Sequence, residues 1–287
     1  CKQMKAAEFN YVRPNTLKEA LSLVSKADDD VVVMSGGQSL IPMMNFRLVE
    51  PSLLIDISKL SELQKIEEQG NTLEIGAGVT YTEIEKSDII NSKIPLLSHV
   101  IEFIAHSAIR NRGTIGGSVA LADPAAEMPA LLIALNATVV LRSQTEDRFI
   151  KADEFFIGTY ETALKPNEIV VKISLPITEV NYGFYEVTRR HGDYASAGAI
   201  ITLHKQNNSN TQNSRVVLFA STNKPERIIG LEDILNQIEP GTTHIINKET
   251  ITDALINTKL EKDLHNSERT KFIHSVTALK RALEMIK

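Results

Sequence analysis

Cysteine occurs once in the 287 residues, at Cys1. A single thiol excludes an internal disulfide, a Cys-x-x-Cys redox pair and a four-cysteine iron–sulfur site within the chain. The seven histidines include no His-x-His or His-x-x-x-His pair, so no compact metal-ligand set stands out. Redox work on this chain therefore calls for an organic cofactor. Basic residues are in the minority, 31 Lys and Arg against 36 Asp and Glu, and the net charge of −5 argues against nucleic acid as the main partner. No apolar run approaches the ~18 residues of a membrane span. The first residues lack a signal peptide's apolar core, so the expected compartment is the cytoplasm.

What is present is an ordinary globular composition, 43% apolar and 23% charged, and enough length for two or three domains of roughly 100–200 residues each. Strands are expected at Phe9–Arg13, Val31–Met34 and Leu53–Ile57, with a helix beginning at the capping-box sequence Thr16–Glu19 and a short one over Leu40–Arg47. That alternation predicts a small parallel sheet. Asp28 to Asp30 read as an acidic turn. Further strands are expected at Thr72–Gly76, Ala137–Arg142 and Glu168–Leu175, a second capping box at Thr80–Glu83, and a helix over Pro95–His106. Asp123 and Pro124 read as the N-cap and first residue of a helix whose buried stripe is Met128, Leu131, Leu132 and Leu135. Past a boundary at Pro176–Tyr182, three strand-like runs (183–190, 196–205, 215–221) form a meander, with Gln206–Asn213 as an exposed loop. Helices close the chain, the last carrying Phe272, Val276, Leu279 and Leu283 on one face.

Two glycine stretches stand apart. Ser35-Gly36-Gly37-Gln38-Ser39 follows a strand directly and precedes a helix, the place where backbone N–H groups suit a phosphate. It lacks the Gly-x-Gly-x-x-Gly spacing of a Rossmann site and the Gly-Lys-Ser/Thr of a P-loop. Thr114-Ile115-Gly116-Gly117-Ser118 is the second, and its lack of Cβ atoms lets backbone approach an anion closely. Each stretch by itself is equally a tight turn that lets sheet pack on helix.

Taken together, and in this order, the two stretches resemble those of the FAD-binding medium subunit of molybdenum hydroxylases, the family of carbon monoxide dehydrogenase medium subunits and of the flavin domain of xanthine dehydrogenase. Arg189-Arg190-His191-Gly192-Asp193-Tyr194-Ala195 resembles a third family signature, and the likeness spans nearly the whole chain. The resemblance implies an α+β protein: a two-part FAD-binding domain of the vanillyl-alcohol-oxidase (PCMH) type, residues 1–60 and 61–176, then an α+β C-terminal domain, 177–287, with a three-stranded antiparallel sheet. It implies that Val33, Ser35, Gly36, Gly37, Gln38, Ser39 and Leu40, with Thr114, Gly116, Gly117 and Ser118, hold the dinucleotide. Glu127 matches a carboxylate that binds a cofactor hydroxyl, Ile104, Val170 and Tyr185 match flavin neighbours, and Tyr194 an aromatic covering the ring. For Glu127 the plain alternative is a first-turn acid favoured by the helix dipole, and for Ile104 simple core. Phe219-Ala220-Ser221-Thr222 departs from relatives that tend to be glycine-rich there, which leaves the packing of the C-terminal domain open.

The implied function is electron transfer. A large partner would hold the molybdopterin cofactor, a small partner two [2Fe-2S] clusters, and FAD on this chain would pass electrons to a terminal acceptor, in a dimer of heterotrimers. The lone cysteine agrees with clusters on another chain. A self-contained flavin oxidase or reductase would need an acid–base pair over the flavin, and none stands out. A scaffold subunit with a decayed flavin site is disfavoured by the intact Gly36, Gly37, Gly116 and Gly117.

Overall fold

Helical and extended runs alternate at the start of the chain, and they fold as a parallel unit. In the computed structural model, which describes residues 5–26, 30–205, 212–238 and 241–286, β1 (Asn10–Val12), β2 (Val31–Met34) and β3 (Leu53–Asp56) pair in the order β1-β3-β2, all parallel. The helix Leu17–Ser25 crosses from β1 to β2, leaving room between them for β3, and buries Leu17, Ala20, Leu21 and Val24 as their spacing predicts. Its capping box is half formed. Thr16 accepts the Glu19 N–H, but the Glu19 carboxylate accepts from Asn15 N–H instead of reaching back to Thr16. The box at Thr80 and Glu83 is complete. The second helix runs over Leu40–Asn45 and stops before Arg47, whose φ is 56°. Of the expected acidic turn, Asp28 and Asp29 lie outside the described residues.

The second sheet is antiparallel and contains β4 (Ile66–Gln69), β5 (Thr72–Gly76), β6 (Thr138–Arg142) and β7 (Asp147–Lys151). After a two-stranded ribbon of β8 (Phe156–Gly158) and β9 (Glu161–Thr162), β10 (Ile169–Pro176) returns to fill the centre, giving the order β4-β5-β10-β6-β7. β4 and β7 escape a reading based on apolar runs because they are edge strands, whose exposed charged residues discourage pairing with other chains. A register shift between Val170 and Lys172 breaks the alternation of β10. Ile169 and Val171 consequently pack towards the first sheet, while Val170, Ile173 and Leu175 share the opposite core.

Short helices between β5 and β6 cover that second face. The expected helix Pro95–His106 ends at Ile101, because Ala105 turns into the left-handed region (φ 47°) and His106 starts another helix, Ser107–Arg110. The Arg110 guanidinium holds this turn by donating to the carbonyls of Ile104 and Ala105 at 3.2 and 3.0 Å. Asp123 is not a helix N-cap. Its carboxylate accepts the Ala125 N–H at 2.9 Å in a local turn, and the helix begins at Glu127, with Ala126 before it. That helix, Glu127–Ala134, is buried on every side and not along a stripe, because it lies between two layers.

The third sheet has four strands where three were expected: β11 (Val180–Val187), β12 (Ala197–Lys205), β13 (Gln212–Phe219) and the two-residue β14 (Glu226–Arg227). β14 is too short to leave an alternating pattern in the sequence. Gln212 and Asn213, expected in a loop, belong to β13 and pair with Lys205 and His204; residues 206–211 lie outside the described residues. One face of this sheet, with Ile200, Val217 and Phe219, meets the core around Glu127–Ala134. The other, with Ala199, Ile201, Leu203, Val216 and Leu218, is covered by the helices Ile229–Gln237, Lys248–Ala254 and Glu268–Glu284. Among the described residues no helix is long and apolar enough to cross a membrane.

Candidate functional site: a cleft between the sheets

The carboxyl end of β2 opens onto a cavity of about 820 Å³, towards the upper end of the ~300–1,000 Å³ usual for ligand pockets. The turn after β2 is shaped by its glycines. A Cβ on Gly36 would lie 2.1 Å from the Arg112 carbonyl oxygen, so only glycine lets this turn rest against Arg112-Gly113. Gly37 takes φ 72°. The backbone N–H groups of Gly36, Gly37, Gln38 and Ser39 have no acceptor among the described residues, and Ser39 makes no side-chain cap to the helix that follows. Four unpaired donors on one turn, two of them preceding a helix, make a local positive concavity suited to an anion. Gln38 folds its side-chain amide back onto the Gly36 carbonyl at 3.2 Å.

The second glycine stretch is built differently. It is the first turn of the helix Ile115–Leu121, capped by Thr114. Its N–H groups are already engaged: Ile115 with Val79 O, Gly116 with Ala77 O, Gly117 with Thr114 Oγ1 and Ser118 with Thr114 O. Gly116 is required by packing, since a Cβ there would lie 2.4 Å from that of Ala77. Gly117 faces the cleft, with Thr114 Oγ1 at 2.9 Å and Ser35 Cβ at 3.9 Å from a Cβ placed on it. What this stretch offers a ligand is hydroxyl groups and close approach at Gly117, not a second set of free N–H groups. The two stretches meet where Ser35 Oγ lies 2.8 Å from Thr114 Oγ1.

Val33, Ser35, Gly36, Gly37, Gln38, Ser39, Leu40, Ile104, Thr114, Gly116, Gly117, Ser118, Glu127, Val170 and Tyr194 all line this one cavity. The register shift in β10 is what turns Val170 to this side. Tyr185 is not brought to it; it sits on the other face of β11 and packs against the C-terminal core. Sequence reasoning missed Ala77, Tyr81, Asp123, Lys165, Gly192 and Asp193, which also line the cleft. Tyr81 opens a short helix and the others come from loops and turns; only Gly192 and Asp193 lie in a stretch that the resemblance marks, without being assigned to the site.

The buried carboxyl of Glu127 is in the cleft lining and that of Glu186 lies behind it. Glu127 is buried, and burial pushes its carboxyl up to about 8, with the charges of Glu186 and Asp123 adding to the effect. Glu186, on β11, is also buried, and neither of its oxygens has a hydrogen-bond partner; burial raises it to about 7. The one signal for Glu186 in the sequence is a charged residue two positions from Phe184, on the inward parity of the strand. Burial likewise raises Tyr81. Among the described residues no group of three or more His, Cys, Asp or Glu could hold a metal ion.

A cleft lined by a turn with free N–H groups, by apolar Ile104 and Val170 and by the largely exposed Tyr194 has the chemistry to take an aromatic ring system joined to an anionic group, and FAD fits that description. Known proteins agree. Residues 7–178 match the family model described as the FAD binding domain in molybdopterin dehydrogenase. The chain is 34% identical to caffeine dehydrogenase subunit beta of Pseudomonas sp. (strain CBB1), over 99% of this chain and 97% of that one. It is 39% identical to the carbon monoxide dehydrogenase medium chain of Hydrogenophaga pseudoflava, over 70% and 71%. Among solved structures, carbon monoxide dehydrogenase from Hydrogenophaga pseudoflava superposes with a TM-score of 0.90 at 33% identity, covering 98% of both chains. Quinoline 2-oxidoreductase from Pseudomonas putida 86 superposes with a TM-score of 0.87 at 33% identity, over 98% and 97%. The chain belongs to the family that carries the FAD-binding domain of molybdopterin dehydrogenases.

Proposed function

We propose that this chain is the medium, electron-transferring subunit of a cytoplasmic molybdenum hydroxylase, assembled with a large molybdopterin-binding subunit and a small subunit carrying two [2Fe-2S] clusters, as a dimer of heterotrimers. The observation that carries this reading is the turn Gly36–Ser39, whose four N–H groups have no acceptor among the described residues and whose residues line a cleft together with Ser35, Thr114 and Gly117. FAD supplies the redox chemistry when bound, because a flavin takes up electrons singly and releases them in pairs.

The chain's own residues bind and orient. Gly36–Ser39 would hold the pyrophosphate through backbone N–H groups, and the Ser35 and Thr114 hydroxyls would close the site from the other wall. Glu127 would hold a cofactor hydroxyl; a carboxyl kept protonated at neutral pH can donate as well as accept there. Ile104 and Val170 exclude water from the ring, and Tyr194 covers it. The three larger sheets use strands from residues 10–56, 66–176 and 180–227, which supports a division of the chain into 1–60, 61–176 and 177–287. The relatives are named as medium chains and lettered subunits of dehydrogenases, which supports an assembly of several chains.

Native mass spectrometry of the untagged protein from its own host tests the reading. The expected result is a complex holding one FAD per copy of this chain, released into solution on denaturation, with molybdenum and iron on other chains. An isolated chain that oxidises an organic substrate by itself overturns it.

A further inference from the structure

Lys271 is buried, 3% exposed, in the C-terminal helix Glu268–Glu284, on the far side of the third sheet from most of the cleft. A buried ammonium is costly unless each of its N–H groups is paired. Its Nζ lies 2.9 Å from the Ser196 carbonyl, 2.8 Å from the Ala220 carbonyl and 2.7 Å from Asp263 Oδ2. Three donors meet three acceptors; one acceptor, Ser196, ends a loop that lines the cleft, and another, Ala220, is hydrogen-bonded to Pro124 beside the cleft residue Asp123.

Ser196 closes the loop 188–195. Its N–H donates to the Val187 carbonyl at 2.8 Å, and its hydroxyl lies 2.8 Å from His274 Nδ1 of the same C-terminal helix. The far end of that loop carries Gly192, Asp193 and Tyr194 into the cavity wall. Ala220 serves the second segment. It is held at φ 63°, and its N–H donates to the Pro124 carbonyl at 2.9 Å, next to Asp123 in the cleft. One side chain therefore holds the base of the Tyr194 loop directly, at Ser196, and the turn that bears Asp123 indirectly, through Ala220.

We propose that Lys271 is a positioning residue for the flavin cleft, setting the Tyr194 loop and the Asp123 turn against each other through the Ser196 and Ala220 carbonyls. This rests on the reading of the cleft as a FAD site, but the mechanical link does not. Without the ammonium two partly buried carbonyls lose their donor. The loop 188–195 keeps its base bond, the Ser196–His274 contact, the Asp193–Arg190 backbone bond, the packing of His191 on Phe103 and the buried Ala195, but none of these ties it to Ala220. The segment then opens locally before the sheet does.

The test is hydrogen–deuterium exchange of the full chain within its complex, with and without added FAD, in the wild type, Lys271→Met and Lys271→Gln. In Lys271→Met the amides of 188–195 and 122–126 should exchange at least tenfold faster, while β5, β6 and β10 keep wild-type protection. FAD affinity should fall about tenfold, and the flavin fluorescence should change as Tyr194 leaves its position. Lys271→Gln, shorter and neutral but still a donor, should be intermediate in every readout. Should the Met variant fail to fold, the Gln variant decides by the same selective pattern. Unchanged exchange at 188–195, or an equal loss of protection across all three sheets, overturns the proposal. A wild-type chain that takes up no FAD, together with the selective exchange pattern in Lys271→Met, would defeat the flavin reading and leave the Lys271 link standing.

Discussion

The hydroxyls of Ser35 and Thr114 lie 2.8 Å apart and join two turns that are 79 residues distant in the chain. Thr114 Oγ1 also accepts the Gly117 N–H at 3.1 Å, so one oxygen both caps a helix and meets the opposite wall of the cleft. The spacing of the two walls at the candidate phosphate position is thereby set by a single threonine.

Replacing Thr114 with Val keeps its shape and removes both bonds. Loss of an N-cap and of one neutral hydrogen bond should cost about 1–2 kcal/mol of stability. FAD affinity should drop roughly tenfold as the walls separate, which for this family of contacts corresponds to about 1.4 kcal/mol. Thr114→Ser should restore both. Thermal melting and a flavin titration of the same preparations separate the two effects, and a Val variant with wild-type values in both would remove Thr114 from this role.

The glycines divide by what surrounds them. Gly36→Ala should fold poorly, since its Cβ would overlap the Arg112 carbonyl, whereas Gly117→Val places its side chain in the cleft. Because the Gly117 N–H is already engaged by Thr114, the loss of flavin binding comes from occupied space, and overpacking of roughly 1–3 kcal/mol corresponds to about a 10–100-fold weaker FAD complex. Circular dichroism against flavin content is the measurement. A Gly117→Val chain with full FAD occupancy at dilute concentration would show that the cofactor does not approach this position.

Glu186 makes stability depend on pH in a defined direction. Its carboxyl is raised from 4.5 to about 7 by burial, so the folded chain holds a proton that the unfolded chain has released. The stability of the neutral form is fully present below about pH 4.5 and is lost as pH rises through about 7; Glu127, raised to about 8, acts in the same sense. Glu186→Gln should flatten the fall of stability between these limits and stabilise the flavin-free chain near pH 8 by about 1–3 kcal/mol. Denaturant unfolding across that range checks this, and an unchanged pH slope would mean that Glu186 is not buried in the charged form.

Ala220 occupies the left-handed region at φ 63°, within the stretch where glycine-rich relatives were expected. An L-residue there carries strain of about 1–2 kcal/mol, partly offset because glycine has more freedom to lose on folding. Ala220→Gly should therefore stabilise the chain by up to about 1 kcal/mol, while the β-branched Ala220→Val should destabilise it by more than that. The order of the two unfolding midpoints is the readout; Val equal to or above Gly would contradict the backbone argument.

Much of this architecture is written locally. The parallel order at the start follows from alternating apolar runs and a capping threonine, and the two glycine stretches announce themselves by composition, because the lack of a Cβ is a property of single residues. Other features depend on partners far along the chain. The edge strands β4 and β7 carry too many exposed charges to be seen as strands until β5 and β6 offer them a ladder. Asp123 looks like an N-cap beside Pro124, yet the left-handed Ala122 and the neighbouring layer delay the helix to Glu127.

The division is sharpest at the cleft. Sequence alone determined that an organic cofactor, not cysteine-bound metal, must carry any redox chemistry here, and which two turns are free of side-chain bulk. Only the tertiary structure decided that the first turn keeps its N–H groups free while the second uses its own in a helix cap. It also decided that Val170 faces the cleft and Tyr185 does not, and that Lys271 joins Ser196 to Ala220 behind it. The physical reason is that glycine content and charge pattern are local properties, whereas hydrogen-bond satisfaction, strand register and burial exist only once distant segments have met.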